Sequence, residues 1–262
     1  MRIVVCIKQV PDAKDVRLDP ETNTLSREGV KSVINPYDRH AMEEAVRLKE
    51  QYGGTVTAIS MGPPQAKAIL AEAISCGVDE ALLVSDRAFA GADTLATTYT
   101  LAQAIKKTGA VDLVLCGKQA TDGDTAQVGP GLAARLDIPY VTCVKKINGL
   151  EDQVLRVERM MDDGHDELEI DMPALLTVVK EINVPRFPSI RGLRKAKEIE
   201  IPSYTAADID ADPDQLGLGG SPTWVVKVFP PVPKGERTML EGSLDEVAEK
   251  LTEILSDSAY GA

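Results

Sequence analysis

Two stretches of this chain have residue types and spacing that suit the binding of a phosphate. In the first, the apolar run Leu113-Val114-Leu115-Cys116 ends at Gly117, and a loop of small and polar residues follows from Lys118 to Thr125. A helix-like segment comes next, with Val128, Leu132 and Leu136 four residues apart. A short apolar run before such a loop reads as a buried parallel strand, and the periodic segment after it as the start of a helix. Backbone N–H groups at a helix start attract anions, and glycine lets a ligand approach the main chain closely. The stretch Val111–Leu136 therefore reads as a nucleotide-phosphate cradle, with an ordinary strand-to-helix turn as the alternative. In the second stretch, Gly91-Ala92-Asp93-Thr94-Leu95-Ala96-Thr97-Thr98 opens another helix, with Asp93 or Thr94 as its N-cap. Thr94 and Thr97 lie one turn apart, so two hydroxyls and a positive helix end share a face and suit a diphosphate. A capped helix with surface threonines fits the same pattern.

Other chemistry is excluded or poorly supported. There is no G-x-S-x-G, no H-E-x-x-H and no P-loop, and the first strand is not followed by G-x-G-x-x-G. A nucleotide crevice would have to be built from other loops. His40, near a helix start, reads as a capping or solvated residue, and Asp162-Asp163-Gly164-His165 reads as a polar hairpin tip. The four cysteines, Cys6, Cys76, Cys116 and Cys143, form no C-x-x-C pair, and with two histidines in the chain no metal site is expected. A net charge of -12 argues against a nucleic-acid partner, which needs a basic face. No apolar run approaches the roughly 20 residues of a membrane span. The opening MRIVVCIKQVP is too short a run for a signal peptide and reads as a first strand, so a cytoplasmic protein is expected.

The elements that must position these stretches can be read in order. Arg2–Ile7 is a β-branched run, expected to be a central strand, and Lys8–Val33 a long excursion with a small hairpin near Asp19–Arg27. Asn35-Pro36-Tyr37-Asp38 starts a helix with Ala41, Ala45 and Leu48 on its apolar face and Gly53-Gly54 at its end. Strands at Thr55–Ser60 and Glu80–Ser85 flank a helix from Gln65 to about Ser75, and Tyr140–Val144 gives a fifth strand. Strand and helix alternate with short connections, which predicts an α/β fold with a Rossmann-like, doubly wound, mostly parallel sheet. Such sheets bind ligands beyond the carboxyl ends of their strands, where the loops at Cys6–Lys8, Met61–Pro64, Arg87–Thr94 and Gly117–Thr125 should converge. Beyond Lys146 the pattern changes to an antiparallel extension, Gln153–Met161 with Glu167–Asp171, then a strand at Pro173–Val179. From Pro202 to Pro233 the chain is rich in Asp, Gly and Pro, with one strand candidate at Trp224–Val228, and a final helix sets Leu244, Val247, Leu251 and Leu255 on one face. Residues 1–200 are expected to form the nucleotide-binding domain, and 201–262 an extended C-terminal arm that needs a partner.

Several segments together resemble the β subunit of electron-transfer flavoproteins over nearly the whole chain. They are V-C-I-K-Q-V near the start, N-P-Y-D at Asn35–Asp38, E-E-A-V-R-L-K at Glu43–Lys49 and M-G-P-P-Q at Met61–Gln65. D-L-V-L-C-G-K-Q-A at Asp112–Ala120, V-E-R at Val157–Arg159 and M-P-A at Met172–Ala174 continue the match. The most specific is E-x-N-x-P-R-F at Glu181–Phe187, leading to R-K-A-K at Arg194–Lys197. Met160 departs from the pattern, because many members have an acidic residue after V-E-R, and the resemblance carries no inter-domain carboxylate to this position.

The resemblance implies a heterodimer with an α subunit that holds a flavin, and a β-subunit nucleotide site occupied in ordinary members by AMP. By position that site comprises Cys6, Asn35, Tyr37, Asp38, Met61 and Gly62. The loop Gln119, Ala120, Thr121, Asp122, Gly123, Asp124, Thr125, Gln127, Val128 and Gly129 completes it. The Ala88–Thr97 segment is similar instead to the anaerobic, electron-bifurcating branch, in which a second FAD takes the AMP position. Gly91, Asp93, Thr94 and Thr97 then join the site, because a diphosphate needs more donors than a monophosphate. That FAD is expected to accept hydride from NADH and to pass electrons to ferredoxin or flavodoxin and, through the α-subunit flavin, to an acyl-CoA dehydrogenase. The segment Phe187–Lys197 resembles the family's recognition loop for the dehydrogenase, with Phe187, Ile190 and Leu193 inside a basic surround of Arg186, Arg191, Arg194, Lys195 and Lys197. A β subunit with structural AMP and a free-standing adenine-nucleotide-binding module are the alternatives.

Overall fold

The structure is a computed structural model that describes residues 1–12, 17–18, 25–26, 32–227 and 239–257. After β1 (Arg2–Cys6) come four short strands, β2 (Gln9–Pro11), β3 (Arg17–Leu18), β4 (Leu25–Ser26) and β5 (Ser32–Ile34). β2 pairs antiparallel with β5, and β3 with β4. The β3–β4 pair falls at the expected hairpin; the rest of Asp19–Arg27 lies outside the described residues. Helix α1 (Pro36–Tyr52) starts with proline at its first position and an acid, Asp38, in its first turn, and has Lys49 in its last. Each of these suits the helix end it occupies.

The alternation then runs β6 (Thr55–Met61), α2 (Lys67–Ser75), β7 (Glu80–Val84), α3 (Thr94–Thr108), β8 (Leu113–Gly117) and α4 (Val128–Leu136). It continues with β9 (Tyr140–Glu151), β10 (Val154–Met160), β11 (His165–Asp171), β12 (Ala174–Val178), α5 (Ile190–Glu198) and β13 (Ser203–Tyr204). Nine of these strands form one sheet in the order β11-β10-β9-β12-β8-β1-β6-β7-β13. Pairing is parallel from β9 through β12 to β13, and antiparallel between β9, β10 and β11. The long β9 belongs to both regions: Tyr140–Val144 pairs with β12, and Val144–Glu151 with β10. Cys143, with φ 57, marks the irregularity between the two, and its N–H donates to Thr177 Oγ1.

Side chains on β1 alternate between two cores. Ile3 and Val5 pack with Met42 and Val46 of α1 and Leu70 and Ile74 of α2, and Val4 and Cys6 with Leu101 and Ile105 of α3 and Leu132 of α4. Both faces of the sheet are therefore covered, which explains why its strands read as continuous apolar runs. The chain forms two compact units, Met1–Lys227 and Val228–Ala262. Ile201, Ile209 and Leu216 are buried in the cores of the first. The described part of the second contains helix α6 (Leu244–Asp257).

Two expectations need correction. Residues Trp224–Lys227 form no strand, and Val228 lies outside the described residues. The edge beside β7 is taken by β13, at Ser203–Tyr204, while Ser221 and Thr223 just before the apolar run are tied to Asp93. The segment Phe187–Lys197 is mostly helix rather than loop. Ser189 caps α5 by accepting from Gly192 N–H, and Arg, Leu, Lys and Ala within it are good helix formers.

Candidate functional site

Strands β1, β6, β7 and β8 run parallel, so the loops after Cys6, Met61, Val84 and Gly117 emerge at one edge of the sheet. The start of α1 ties them together. Asn35 is fully buried; its Nδ2 donates to Gln119 O at 2.8 Å, and its Oδ1 accepts from Thr121 N–H at 3.1 Å. Asp38 accepts from Lys8 N–H at 2.7 Å and from Gly117 N–H at 3.2 Å. Gly117 has to be glycine, because a Cβ there would sit 2.4 Å from Asp38 Oδ1 and 2.7 Å from the Tyr37 side chain. Both polar ends of Asn35 and both oxygens of Asp38 are thus engaged in holding loops, with half-buried Tyr37 between them. Burial pushes the Asp38 carboxyl up to about 7, against the hydrogen bonds from Asn35, Lys8 and Gly117 that favour its charge. Cys6 and Cys116 are in register on adjacent strands beneath, and the Cys6 thiol together with burial pushes the Cys116 thiol well above its ordinary value. Met61 and Gly62 close the β6 end, where Gly62 N–H donates to Val84 O.

The loop after β8 is built for exposure. Gln119 and Ala120 are half-buried, and Thr121, Asp122, Gly123, Asp124, Thr125 and Gln127 are exposed. Lys8 Nζ lies 2.8 Å from Asp122, and Gln119 Nε2 donates to Asp124. Asp124 and Ala126 adopt left-handed backbone, at φ 52 and φ 53. For an alanine that costs roughly 1–2 kcal/mol, a strain typical of ligand clamps. No side chain caps α4 at Gln127, and Pro130, its third residue, lacks an N–H. The N–H groups of Val128 and Gly129 therefore stand at an open helix start that favours an anion. Gly129 permits this close fit: a Cβ would lie 2.3 Å from Thr177 Cγ2 on β12.

The start of α3 is tied to the same loop, because Thr94 Oγ1 donates to Gln127 Oε1 at 3.1 Å. Its donors are less available than those of α4. Asp93 Oδ1 accepts from Leu95 N–H at 2.9 Å and Ala96 N–H at 3.1 Å, and Thr97 N–H donates to Asp93 O. Thr94 and Thr97 are half-buried. Gly91 packs against Leu218 and Asp93 also bonds Ser221 and Thr223, contacts with the C-terminal segment that local pattern does not reveal. Sequence reasoning also missed Lys8 as the cation facing Asp122 and Thr177 as the neighbour of Gly129.

On the opposite side of α1 the 183–198 segment is anchored by ionic contacts. Asn183 Nδ2 donates to His40 O and Glu44 Oε2, and Asn183 O and Oδ1 lie 3.1 and 3.2 Å from His40 Nδ1. Arg186 is held by Glu43 at 2.8 Å and Glu50 at 2.6 Å, so it is drawn inward rather than contributing to a basic surround. Lys195 donates to the carbonyls of Val78 and Asp79. Phe187 (92% exposed), Ile190 (85%) and Leu193 remain at the surface. His165 starts β11 beside the turn at Asp162–Gly164, 3.9 Å from Glu158. Among the described residues no cluster of three or more His, Cys, Asp or Glu suits a metal ion, and no helix is long and apolar enough to cross a membrane.

The model of the electron transfer flavoprotein domain matches residues 22–209. An electron transfer flavoprotein subunit beta from Thermoanaerobacterium thermosaccharolyticum is 52% identical over 98% of both chains. The caffeyl-CoA reductase-Etf complex subunit CarD of Acetobacterium woodii is 49% identical over 98% of both, and the protein FixA of Azotobacter vinelandii 47% identical over 97% of this chain and 92% of its own.

Proposed function

The chain belongs to the electron transfer flavoprotein family, as a β subunit, and on that basis we propose that its crevice holds FAD and serves NADH-driven electron bifurcation. When bound, the flavin supplies the redox chemistry, taking a hydride from NADH and releasing electrons towards ferredoxin or flavodoxin and towards the α-subunit flavin. The chain's own part is to bind and orient. Asn35 and Asp38 hold the loops, and the open start of α4 and the left-handed Asp124 and Ala126 receive phosphate. The observation that carries the FAD reading is the Thr94–Gln127 hydrogen bond, which sets the starts of α3 and α4 side by side as a diphosphate requires. The resemblance of Ala88–Thr97 to the bifurcating branch supports the same choice.

A second reading has one observation in its favour. Asp93 already occupies the Leu95 and Ala96 N–H groups, which leaves α4 as the open helix end and suits the single phosphate of AMP. Ligand extraction from the purified complex with the α subunit separates the two. Two FAD per heterodimer is the expected result; one FAD and one AMP overturns the bifurcating reading. For the outgoing electrons, an acyl-CoA dehydrogenase is proposed to dock on Phe187, Ile190 and Leu193, an apolar tip ringed by charge. The name of the Acetobacterium woodii relative, which places that protein with a caffeyl-CoA reductase, supports a partner acting on a CoA thioester.

A further inference from the structure

Asp93 has partners that helix capping does not require. Its Oδ1 serves the cap, but Oδ2 accepts from Thr223 twice, from the backbone N–H at 3.2 Å and from the hydroxyl at 2.8 Å. Its own N–H donates to Ser221 Oγ at 2.8 Å, and that hydroxyl donates onward to Gly217 O at 2.6 Å. Alongside, Leu218 N–H donates to Ala90 O at 3.0 Å, and the Leu218 side chain covers Gly91. Two segments about 130 positions apart are thereby joined through main chain and side chain. Burial works against the charge on Asp93, yet the donors from Ala96, Thr223 and Leu95 hold its carboxyl below the ordinary value. It is an ionised, strong acceptor at neutral pH. Directly beyond the contact lie Trp224, 67% exposed, then Val225, Val226 and Lys227, where the first compact unit ends.

We propose, on the reading that a nucleotide lies between α3 and α4, that Asp93 is a positioning residue that latches the exit of the C-terminal segment to the start of α3. One carboxylate oxygen keeps the helix start in shape for the ligand, the other holds Thr223, and the Asp93 N–H holds Ser221. A nucleotide that steadies the first turn of α3 therefore steadies residues 217–227, and by linkage the latched segment favours nucleotide retention.

Two substitutions separate the oxygens. Asp93→Asn keeps a capping oxygen, since Asn caps as well as Asp, but turns an NH2 group towards the donors of Thr223. Thr223→Val removes the hydroxyl from the other, exposed side. Trp224 is the single tryptophan of the chain, so its emission and anisotropy report on the latched segment in the full-length protein freed of nucleotide. Hydrogen exchange of residues 213–227 reads the latch itself, and equilibrium dialysis with AMP or FAD reads binding. The expected result is a Trp224 response to saturating nucleotide in the wild type that Thr223→Val loses while still binding it, and that Asp93→Asn loses together with part of its affinity for nucleotide. Exchange at 217–227 should be about tenfold faster in both variants without nucleotide, as loss of hydrogen bonds to a charged acceptor implies. Unchanged exchange in both variants overturns the latch. A silent Trp224 with nucleotide bound, or a response that survives both substitutions, overturns the coupling. Failure of the wild type to bind either nucleotide overturns the nucleotide site and the coupling with it, a result that dialysis shows independently of the exchange data.

Discussion

Asp38 organises two loops with one carboxylate, and the cost of doing so in the interior depends on pH. Its folded value, about 7, lies above the ordinary 3.8. Between those values the folded protein keeps a proton that the unfolded chain releases, so this residue's contribution to stability falls as pH rises through that window. The penalty is absent below the lower value and complete above the upper, on the order of 4 kcal/mol. Asp38→Asn removes the titration. Urea denaturation of both proteins at about pH 8 and about pH 5 should therefore show the wild type gaining relative to the variant at the lower pH. Parallel behaviour at the two pH values would mean that Asp38 is ionised throughout.

At the scale of elements, α1 is the strut between the crevice and the exposed helix α5. Its start holds the crevice loops through Asn35 and Asp38, and its later turns hold the 183–186 segment through His40, Glu43, Glu44 and Glu50. The Glu43 side chain is 4% exposed, and although burial opposes its charge, Arg186 and Arg47 keep its carboxyl below the ordinary value. Arg186→Ala leaves that carboxylate with Arg47 and the backbone N–H of residue 186, without its second cation. A loss of about 3 kcal/mol in chemical denaturation is expected, because a buried charge has lost a partner. Backbone exchange across 190–198 should rise with it, since Arg186 sits just before the α5 cap. A variant as stable as the wild type would show that the hydrogen bond from Ser189 N–H to Ser75 O, rather than the ion pair, places α5.

For the molecule as a whole, the apolar face expected on the last helix is present, with Leu244 exposed and Leu251 46% exposed on α6. The arm is proposed to pack on the α subunit through this face. Leu251→Ser should then weaken heterodimer formation, by tenfold or more if the leucine is buried there at the roughly 1.5–3 kcal/mol usual for such a side chain. The thermal stability of the isolated chain should stay unchanged. Sedimentation of the mixed subunits checks the first point and calorimetry the second; undiminished association would place the α-subunit contact elsewhere.

The elements that follow from near neighbours were legible in the sequence. The apolar runs became β1, β6, β7 and β8, the proline and acid at Pro36–Asp38 began α1, and Asp93 capped α3. Periodicity, caps and turn residues act within a few positions of one another, so a local reading reaches them. The candidate crevice was legible for the same reason, since parallel strands deliver their following loops to one edge. What the local pattern could not supply were pairings across long separations. β12 slots between β8 and β9 only after the chain has made the antiparallel extension, and β13 joins the far edge beside β7. Asn35 reaches Gln119, Arg186 reaches Glu43 and Thr223 reaches Asp93 across about 84, 143 and 130 positions. Which polar side chains serve a ligand and which hold the protein to itself is decided by those meetings. Each side chain has few donors and acceptors, and the fold determines what stands within 3 Å of them.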